Sequence, residues 1–330
     1  MILDPDGETL IYHRRVEGAD NLLAIRTEDG PDAAPILVAS GREPVRAFAA
    51  RDGLMLVCCG WPRSPGGPSF RVMDLRRVTT LLRDDPARLN QRLTAVPVLA
   101  GFGIERRSLP VEVFELLRGT TVQVPGLMET GNGGWVPALY EVNGRDATFH
   151  VAPLSFLEPG ALPTAAGLEP GGQRVWLTVG DSNHAFILNA ESLELVDDRV
   201  WAVEETALAR VSFHNSRREA WVSALTSLFI WPLDRPGPPT EIEVCPELRW
   251  QRGEMARGLV GACCFSTDGL RALVARPLSG DLVELDVETR SVLREIPVAL
   301  DPLELLHCPR KGRVYFQGMR NGQIGWMPYG

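Results

Sequence analysis

The sequence predicts an all-β protein, a β-propeller of four-stranded antiparallel blades around a central channel, and three observations carry that reading. One unit is clear from Ala262 to Val298: an apolar strand, Thr267-Asp268-Gly269, a second strand, Ser279-Gly280, a third strand, then Glu288-Thr289-Arg290 and a fourth. Its first turn recurs as Asp6-Gly7, Asp52-Gly53 and Lys311-Gly312, with Gly171-Gly172 and Asn215-Ser216 as weaker copies, and outside one long gap successive copies stand 43 to 53 residues apart. Finally, 32 Gly and 26 Pro supply the many short turns that such a meander needs.

The individual elements follow from local chemistry. Gly provides the positive φ of a tight turn, and an Asp beside it bonds the nearby backbone. Apolar second strands follow the turns at Leu54 to Cys58, Val175 to Val179, Glu219 to Leu225, Leu270 to Ala275 and Arg313 to Phe316. Third strands are expected at Phe70 to Leu75, His184 to Leu188, Ser227 to Trp231 and Asp281 to Asp286. The 118 residues between Gly53 and Gly171 leave room for two ordinary blades with residues to spare. Within them Val111 to Leu117 and Thr120 to Val124 read as strands joined by Arg118-Gly119. Trp135 to Val142 and Arg145 to Ala152 read as strands joined by a two-residue Asn143-Gly144 turn. Asp85-Pro86 is expected to open a short interblade helix running to Leu93, with Asp as N-cap and Pro at the first helical position.

These elements amount to seven blades, with eight as the alternative, in a single domain over 1–330. That domain has an irregular or inserted region at about 84–170 and an interblade insertion at about 236–258. Met1 to Leu3 is short for an outer strand, and the last unit, Leu303 to Met327, lacks one. Either the amino terminus completes the final blade or the ring closes with a three-stranded blade.

Composition bounds the class of protein. At 45% hydrophobic residues, no apolar run reaches the ~18 residues of a membrane-spanning helix. The amino terminus has no basic region followed by an apolar core and small-residue cleavage site, so a cytoplasmic protein is expected. Of six cysteines, Cys58-Cys59 and Cys263-Cys264 are vicinal in strands and point to opposite faces, so neither pair can chelate one ion. No C-x-x-C spacing occurs and Cys245 and Cys308 have no partner at ligand spacing, which makes the cysteines buried core residues. Lys311 is the one lysine among 34 basic residues, a usage that reports a G- and C-rich bacterial genome.

The stretch Phe265-Ser266-Thr267-Asp268-Gly269, followed by Leu282-Val283-Glu284-Leu285-Asp286-Val287-Glu288-Thr289, resembles the WD-repeat and YVTN-type propeller superfamily. The same outline returns in Arg71-Val72-Met73-Asp74-Leu75. Neither a Gly-His nor a Trp-Asp dipeptide occurs anywhere, so the resemblance covers most of the chain as a fold and selects no particular family. It implies a ring whose channel mouth and rim bind partners.

Enzymatic readings find little to stand on. Gly180-Asp181-Ser182 is similar to the nucleophile segment of a class of serine esterases, with Asp301 and His307 as its imaginable partners. The tripeptide falls where a hairpin turn is expected, and the Asp and His lie six residues apart rather than that class's three. His13, His150, His184, His214 and His307 share no metal spacing. Gly131-Asn132-Gly133-Gly134 lacks the preceding strand and following helix of a phosphate cradle. No catalytic, cofactor or metal residue is assigned.

Charge offers the one hint about partners. From Arg42 to Arg118 there are 13 Arg against 8 acidic residues, concentrated at Arg71, Arg76, Arg77, Arg83, Arg88 and Arg92, in a chain of net charge −8. Guanidinium forks suit carboxylates or phosphates, while a pI near 5.3 weighs against nucleic acid. Trp61, Trp135 and Trp250 fall in loops, and tryptophan is enriched at interface hot spots. The sequence therefore reads as a non-enzymatic interaction scaffold or regulatory module, whose candidate contacts are Arg71, Arg76, Arg77, Trp61, Trp135 and Trp250 and whose partner presents an acidic protein surface. The alternative is a small-molecule hydrolase, lactonase-like, with its site in the channel.

Overall fold

The structure, a computed structural model, describes residues 1–4, 6–16, 19–29, 34–41, 45–51, 54–59, 69–85, 98–103, 108–110, 116–118, 121–129, 135–143, 148–158, 161, 163–180, 182–202, 209–245, 248–251 and 254–330. They form two compact units, Met1–Pro163 and Thr164–Gly330.

In the first unit, a four-stranded sheet is built from Ile2–Leu3, Thr9–Val16, Ala19–Arg26 and Ile36–Gly41. A second takes Val45–Arg51, Leu54–Cys59, Ser69–Asp74 and Val98–Gly103, and a helix, α1 (Leu75–Asp84), leaves between its third and fourth strands. A third sheet orders Leu116–Arg118, Thr121–Glu129, Trp135–Asn143 and Thr148–Pro153, with Ser108–Pro110 also pairing to Thr121–Glu129.

The second unit begins with a sheet of Pro163–Leu168, Arg174–Val179, His184–Asn189 and Leu195–Val200. Next come Arg210–His214, Glu219–Ala224, Ser227–Pro232 and Thr240–Glu243, and then Cys263–Phe265, Arg271–Arg276, Asp281–Asp286 and Val292–Pro297. The last sheet has three strands, Pro302–Cys308, Arg313–Gly318 and Ile324–Pro328. A separate hairpin pairs Leu248–Gln251 with Glu254–Arg257. The stretch read as an insertion, 236–258, thus starts with an outer strand, Thr240–Glu243, opposite Ser227–Ile230. The sheets follow chain order, apart from Ser108–Pro110, which pairs with Thr121–Glu129.

The repeated turns work as their residues require. Gly269 sits at φ +71, and the Asp268 carboxylate accepts from Leu270 N at 3.0 Å and Ser266 Oγ at 2.6 Å. In the first sheet it is Asp4, rather than Asp6, whose carboxylate accepts from Glu8 N (2.7 Å) and Thr9 N (3.0 Å). A second turn recurs between third and fourth strands: Asn189 Oδ1 accepts from Ser192 N as Asp286 Oδ1 does from Thr289 N. One residue later Leu193 and Arg290 take φ +60 and +61, left-handed positions where glycine is the usual choice, which blurs the repeat in sequence.

Two expectations need correction, and one open alternative is decided. The helix spans Leu75–Asp84, so Leu75 opens a helix instead of ending a strand. Asp74 is its N-cap, with Oδ1 accepting from Arg77 N at 3.1 Å, and Asp85 is its C-cap. Leu75, Val78, Leu81 and Leu82 bury one stripe at a 3.6-residue period, while the helix expected from Asp85-Pro86 to Leu93 falls in residues 86–97, outside those described. Asn143 pairs with Thr148, so four residues, and not the two of an Asn143-Gly144 turn, connect those strands. For the last unit, Leu303 to Met327, the second of the two alternatives holds among the described residues, a three-stranded sheet, because Ile2–Leu3 pairs with Leu10 and Ile11 in its own sheet.

Burial explains the strand sequences. All six residues of Glu219–Ala224 are buried, as are Ala272 to Arg276 and Asp281 to Leu285, which demands cover on both faces of the central strands. Trp176, Trp221 and Tyr315 occupy the third position of three second strands and are fully buried. Trp176 and Trp201 each meet Trp231, at 6.1 and 6.2 Å between ring centroids. Cys245, Cys263, Cys264 and Cys308 are in no disulfide, and burial pushes the Cys264 thiol up to about 12. The side chains of Cys58 and Cys59 lie outside the described residues.

Buried charge is paired. Arg276, 4% exposed, sends Nε and Nη2 to the two Asp281 oxygens (2.8 and 2.6 Å), Nη2 also to Glu295 (2.6 Å), and Nη1 to the Val244 carbonyl (3.0 Å). Leu273→Ala, at a residue 0% exposed, is expected to cost about 2–5 kcal/mol in chemical denaturation, whereas Leu270→Ala, at a residue 64% exposed, stays within about 0.5 kcal/mol.

Candidate docking surface

Helix α1 carries Arg76, Arg77 and Arg83 of the cationic stretch. Its apolar stripe packs into a cluster with Ile2, Ile11, Leu22, Ala24, Val38, Met55, Val57 and Met73, which fixes the opposite face toward solvent. Thr79 Oγ1 donates to Asp4 Oδ2 at 3.1 Å, so the carboxylate that shapes the first turn also anchors the helix. Arg76 and Arg77 stand exposed in the first helical turn, which holds no acidic residue. Neither makes an ion pair with any described residue, while Arg83 bonds Asp84 at 2.9 Å in the last turn.

This placement runs against helix electrostatics. The amino end of a helix carries partial positive charge, so cations there are destabilising and anions favoured. Arg83 is well placed at the other end; Arg76 and Arg77 are not. The Arg83 guanidinium, by its hydrogen bond to Asp84, holds that exposed carboxyl below its ordinary value. Two adjacent exposed arginines without ion pairs among the described residues thus stand at the unfavourable end, and guanidinium forks suit carboxylates or phosphates.

Other residues singled out in the sequence divide differently. Arg71 lies in strand Ser69–Asp74, opposite Val57, which places it in the strand that leads into α1. Trp135 starts the strand Trp135–Asn143, opposite Glu129, and Trp250 lies in the separate hairpin, opposite Met255; neither is in a loop. The side chains of Arg71, Trp135 and Trp250, and all of Trp61, Arg88 and Arg92, lie outside the described residues. The structure therefore assembles Arg76, Arg77 and Arg83 on one element, and joins none of the three tryptophans to them. Thr79 and Asp4 were missed; the signal for them was the Leu75, Val78, Leu81 and Leu82 spacing that fixes the helix register.

The histidines serve turns and strands. His214 is buried, donating from Nε2 to the Gly269 carbonyl (2.7 Å) while Nδ1 accepts from Arg217 N (3.2 Å). His184 Nδ1 lies 2.9 Å from Asp198, and His307 Nε2 lies 3.3 Å from the Tyr329 carbonyl. His13 and His150 lie in paired strands. Ser182 is in the turn between Arg174–Val179 and His184–Asn189, its Oγ accepting from His184 N at 3.2 Å, and Asp301 accepts from Arg320 N at 3.0 Å. Among the described residues no group of three or more His, Cys, Asp or Glu converges as metal ligands would.

A second polar cluster ties two neighbouring sheets of the second unit. Glu219 accepts from Arg290 Nη2 (2.6 Å) and Trp221 Nε1 (3.1 Å), Arg217 bridges Glu219 and Glu288, and the Arg290 guanidinium lies 5.1 Å from the Trp221 ring centroid. Burial raises the Glu219 carboxyl, but the bonds from Arg290 and Trp221 and the charges of Arg290 and Arg217 prevail and hold it below the ordinary value. A depressed carboxylate stabilises the fold above its unfolded-state pKa, and that contribution disappears as pH falls through the folded-state pKa. Glu219→Gln should therefore flatten the loss of stability below about pH 4.5, read as Tm against pH, with its largest deficit near neutrality.

Successive four-stranded meanders of this kind define a β-propeller, and solved structures agree. The chain is similar to the Myceliophteria thermophila Cps50 (Swd1) β-propeller domain, at 13% identity and TM-score 0.65, over 100% of this chain and 96% of that one. It is similar to Kuenenia stuttgartiensis hydrazine synthase at 12% identity and TM-score 0.68, over 99% and 94%. A chain of the mitotic checkpoint complex matches at 11% identity and TM-score 0.64, over 98% and 84%. No family model and no curated protein matches the sequence. Identities this low establish the fold and leave the activity to be argued from the surface itself.

Proposed function

We propose that the protein is a non-enzymatic interaction or regulatory module that docks on an acidic surface of a protein partner through α1. The observation behind this reading is the pair Arg76 and Arg77, exposed and without ion-pair partners among the described residues, at the helix end where cations are disfavoured. A local cost retained on a surface is the mark of a site selected for something other than stability. The propeller fold is compatible with such a role, since its neighbours include a chain from a multiprotein complex as well as an enzyme. Asp74 and the buried stripe hold the helix rigid, so the guanidiniums meet a partner with little ordering cost. The rest of the chain, which carries −13 against +5 in Arg42–Arg118, would repel an acidic partner elsewhere and so favour a single approach.

The test separates binding from folding. Arg76→Glu with Arg77→Glu is expected to abolish retention of the partner in pull-downs from the native host. The same change should raise thermal stability slightly, by about 0.3–1 kcal/mol per residue at low salt, because the new charges suit the helix end. Retained binding with both changes in place would overturn the docking role. Asp74→Ala, in contrast, should cost about 1 kcal/mol of stability through loss of the cap.

A further inference from the structure

In the second unit, the last sheet has three strands, and its Ile324–Pro328 edge pairs with no further strand among the described residues, where the sheets before it have a fourth. The hydrogen-bond parity of that edge follows from its flanks. Gly318 N donates to the Gln323 carbonyl and Tyr329 N to the Gly312 carbonyl, so the odd residues 323 to 329 face Arg313–Gly318. The even residues Ile324 and Trp326 therefore turn both N–H and C=O outward. Register makes the comparison direct: Arg313 and Arg271 both open second strands, opposite Pro328 and Asp286, which aligns Ile324 with Leu282 and Trp326 with Glu284. In that equivalent sheet the same parity serves the fourth strand, since Asp286 N donates to the Ser291 carbonyl and Val298 N to the Gly280 carbonyl. Leu282 and Glu284 stand between those two bonds, opposite Ile296 and Arg294.

Exposure differs accordingly. The third strands Ser227–Pro232 and Asp281–Asp286 are buried along five of six residues, whereas Ile324 to Met327 are half-exposed and Pro328 is exposed. The open stretch is short. Gln317 Nε2 caps the Gly322 carbonyl at 3.2 Å, and Pro328 has no N–H to offer, leaving the groups of Ile324 and Trp326 between them. An occupant of about four residues fits, the length of the Thr240–Glu243 outer strand.

The side chains around this edge specify the occupant. Outer strands in this unit alternate apolar and charged residues: Ile242 between Glu241 and Glu243, and Ile296 beside Glu295. Antiparallel pairing would bring the amino end of an added strand to Pro328, where Arg310, Lys311 and Arg313 lie close in sequence to the opposing residue. Lys311 is exposed and has no ion pair among the described residues, and Arg313 stacks on Trp326 at 3.9 Å. We propose that the Ile324–Pro328 edge accepts a short extended segment of a partner protein, antiparallel, with an apolar residue opposite Ile324 and a carboxylate toward its amino end. The inference does not depend on α1, and it identifies a surface on the other unit.

A synthetic heptapeptide, acetyl-Thr-Glu-Val-Glu-Val-Thr-Ser-amide, added to the full chain tests this by amide hydrogen exchange. In the free protein Ile324 and Trp326 should exchange faster than Gly325 and Met327, and the peptide should slow Ile324 and Trp326 selectively. Ile324→Pro removes one outward donor at a position where proline is tolerated, so it should weaken peptide binding several-fold while leaving Tm within a few degrees. A scrambled peptide with lysines for glutamates should give no protection. Ile324 and Trp326 already protected in the free chain would overturn the proposal: protection that dilution removes would identify a second copy on the edge, and protection independent of concentration a segment of the same chain. Absence of any protection by the acidic peptide would overturn it as well.

Discussion

Burial of central strands on both faces is the constraint on which the rest of the structure depends. A sheet whose second and third strands read Glu-Ala-Trp-Val-Ser-Ala and Ser-Leu-Phe-Ile-Trp-Pro cannot stand in water on either side. Its neighbours must cover it, and each neighbour has the same need. Repetition of sheets follows, as does the variety of contacts that join them: His214 to the Gly269 carbonyl, Arg276 to the Val244 carbonyl, Arg174 to the Leu233 carbonyl. Charged residues enter these seams only with partners, as Glu219 and Glu284 do with two arginines each.

The same constraint decides where function can sit. Second and third strands are committed to the core, so surface chemistry is left to turns, to outer strands and to the one described α-helix. On α1 the apolar stripe and the Asp74 cap satisfy folding, and Arg76 and Arg77 work slightly against it. At the last sheet the described residues supply no fourth strand, and two residues turn their backbone groups outward. Both places are departures from the regular unit, one an addition and the other an omission.

The fold was legible where the turn chemistry kept glycine or aspartate: Gly7, Gly269 and Gly312 all take positive φ, and the strands after Gly269 and Gly312 lie within a residue or two of their expected bounds. It was less legible where a residue other than glycine adopts the same conformation. Leu193, Arg218, Leu225 and Arg290 do so with side chains that carry no turn signal, and no scan for Asp-Gly can find them. Helix α1 was missed because a strand ending in Asp74 and a helix capped by Asp74 look alike over a few residues; the apolar spacing from Leu75 to Leu82 separates them. Arg76 and Arg77 were visible as charge, but their position at the wrong end of a helix required the fold. The open edge could be suspected from the missing last strand, while its parity could not, because parity depends on which of two alternating residues bonds inward.

Footprinting of the complex recovered from the native host tests the central claim most directly, with hydroxyl-radical labelling and hydrogen exchange read along the whole chain. The account predicts loss of labelling at Arg76, Arg77 and Thr80 on the outward side of α1 when the partner is bound, reversed by salt as expected of guanidinium–carboxylate contacts. A footprint that leaves Leu75–Asp84 unchanged and falls on another surface would contradict it.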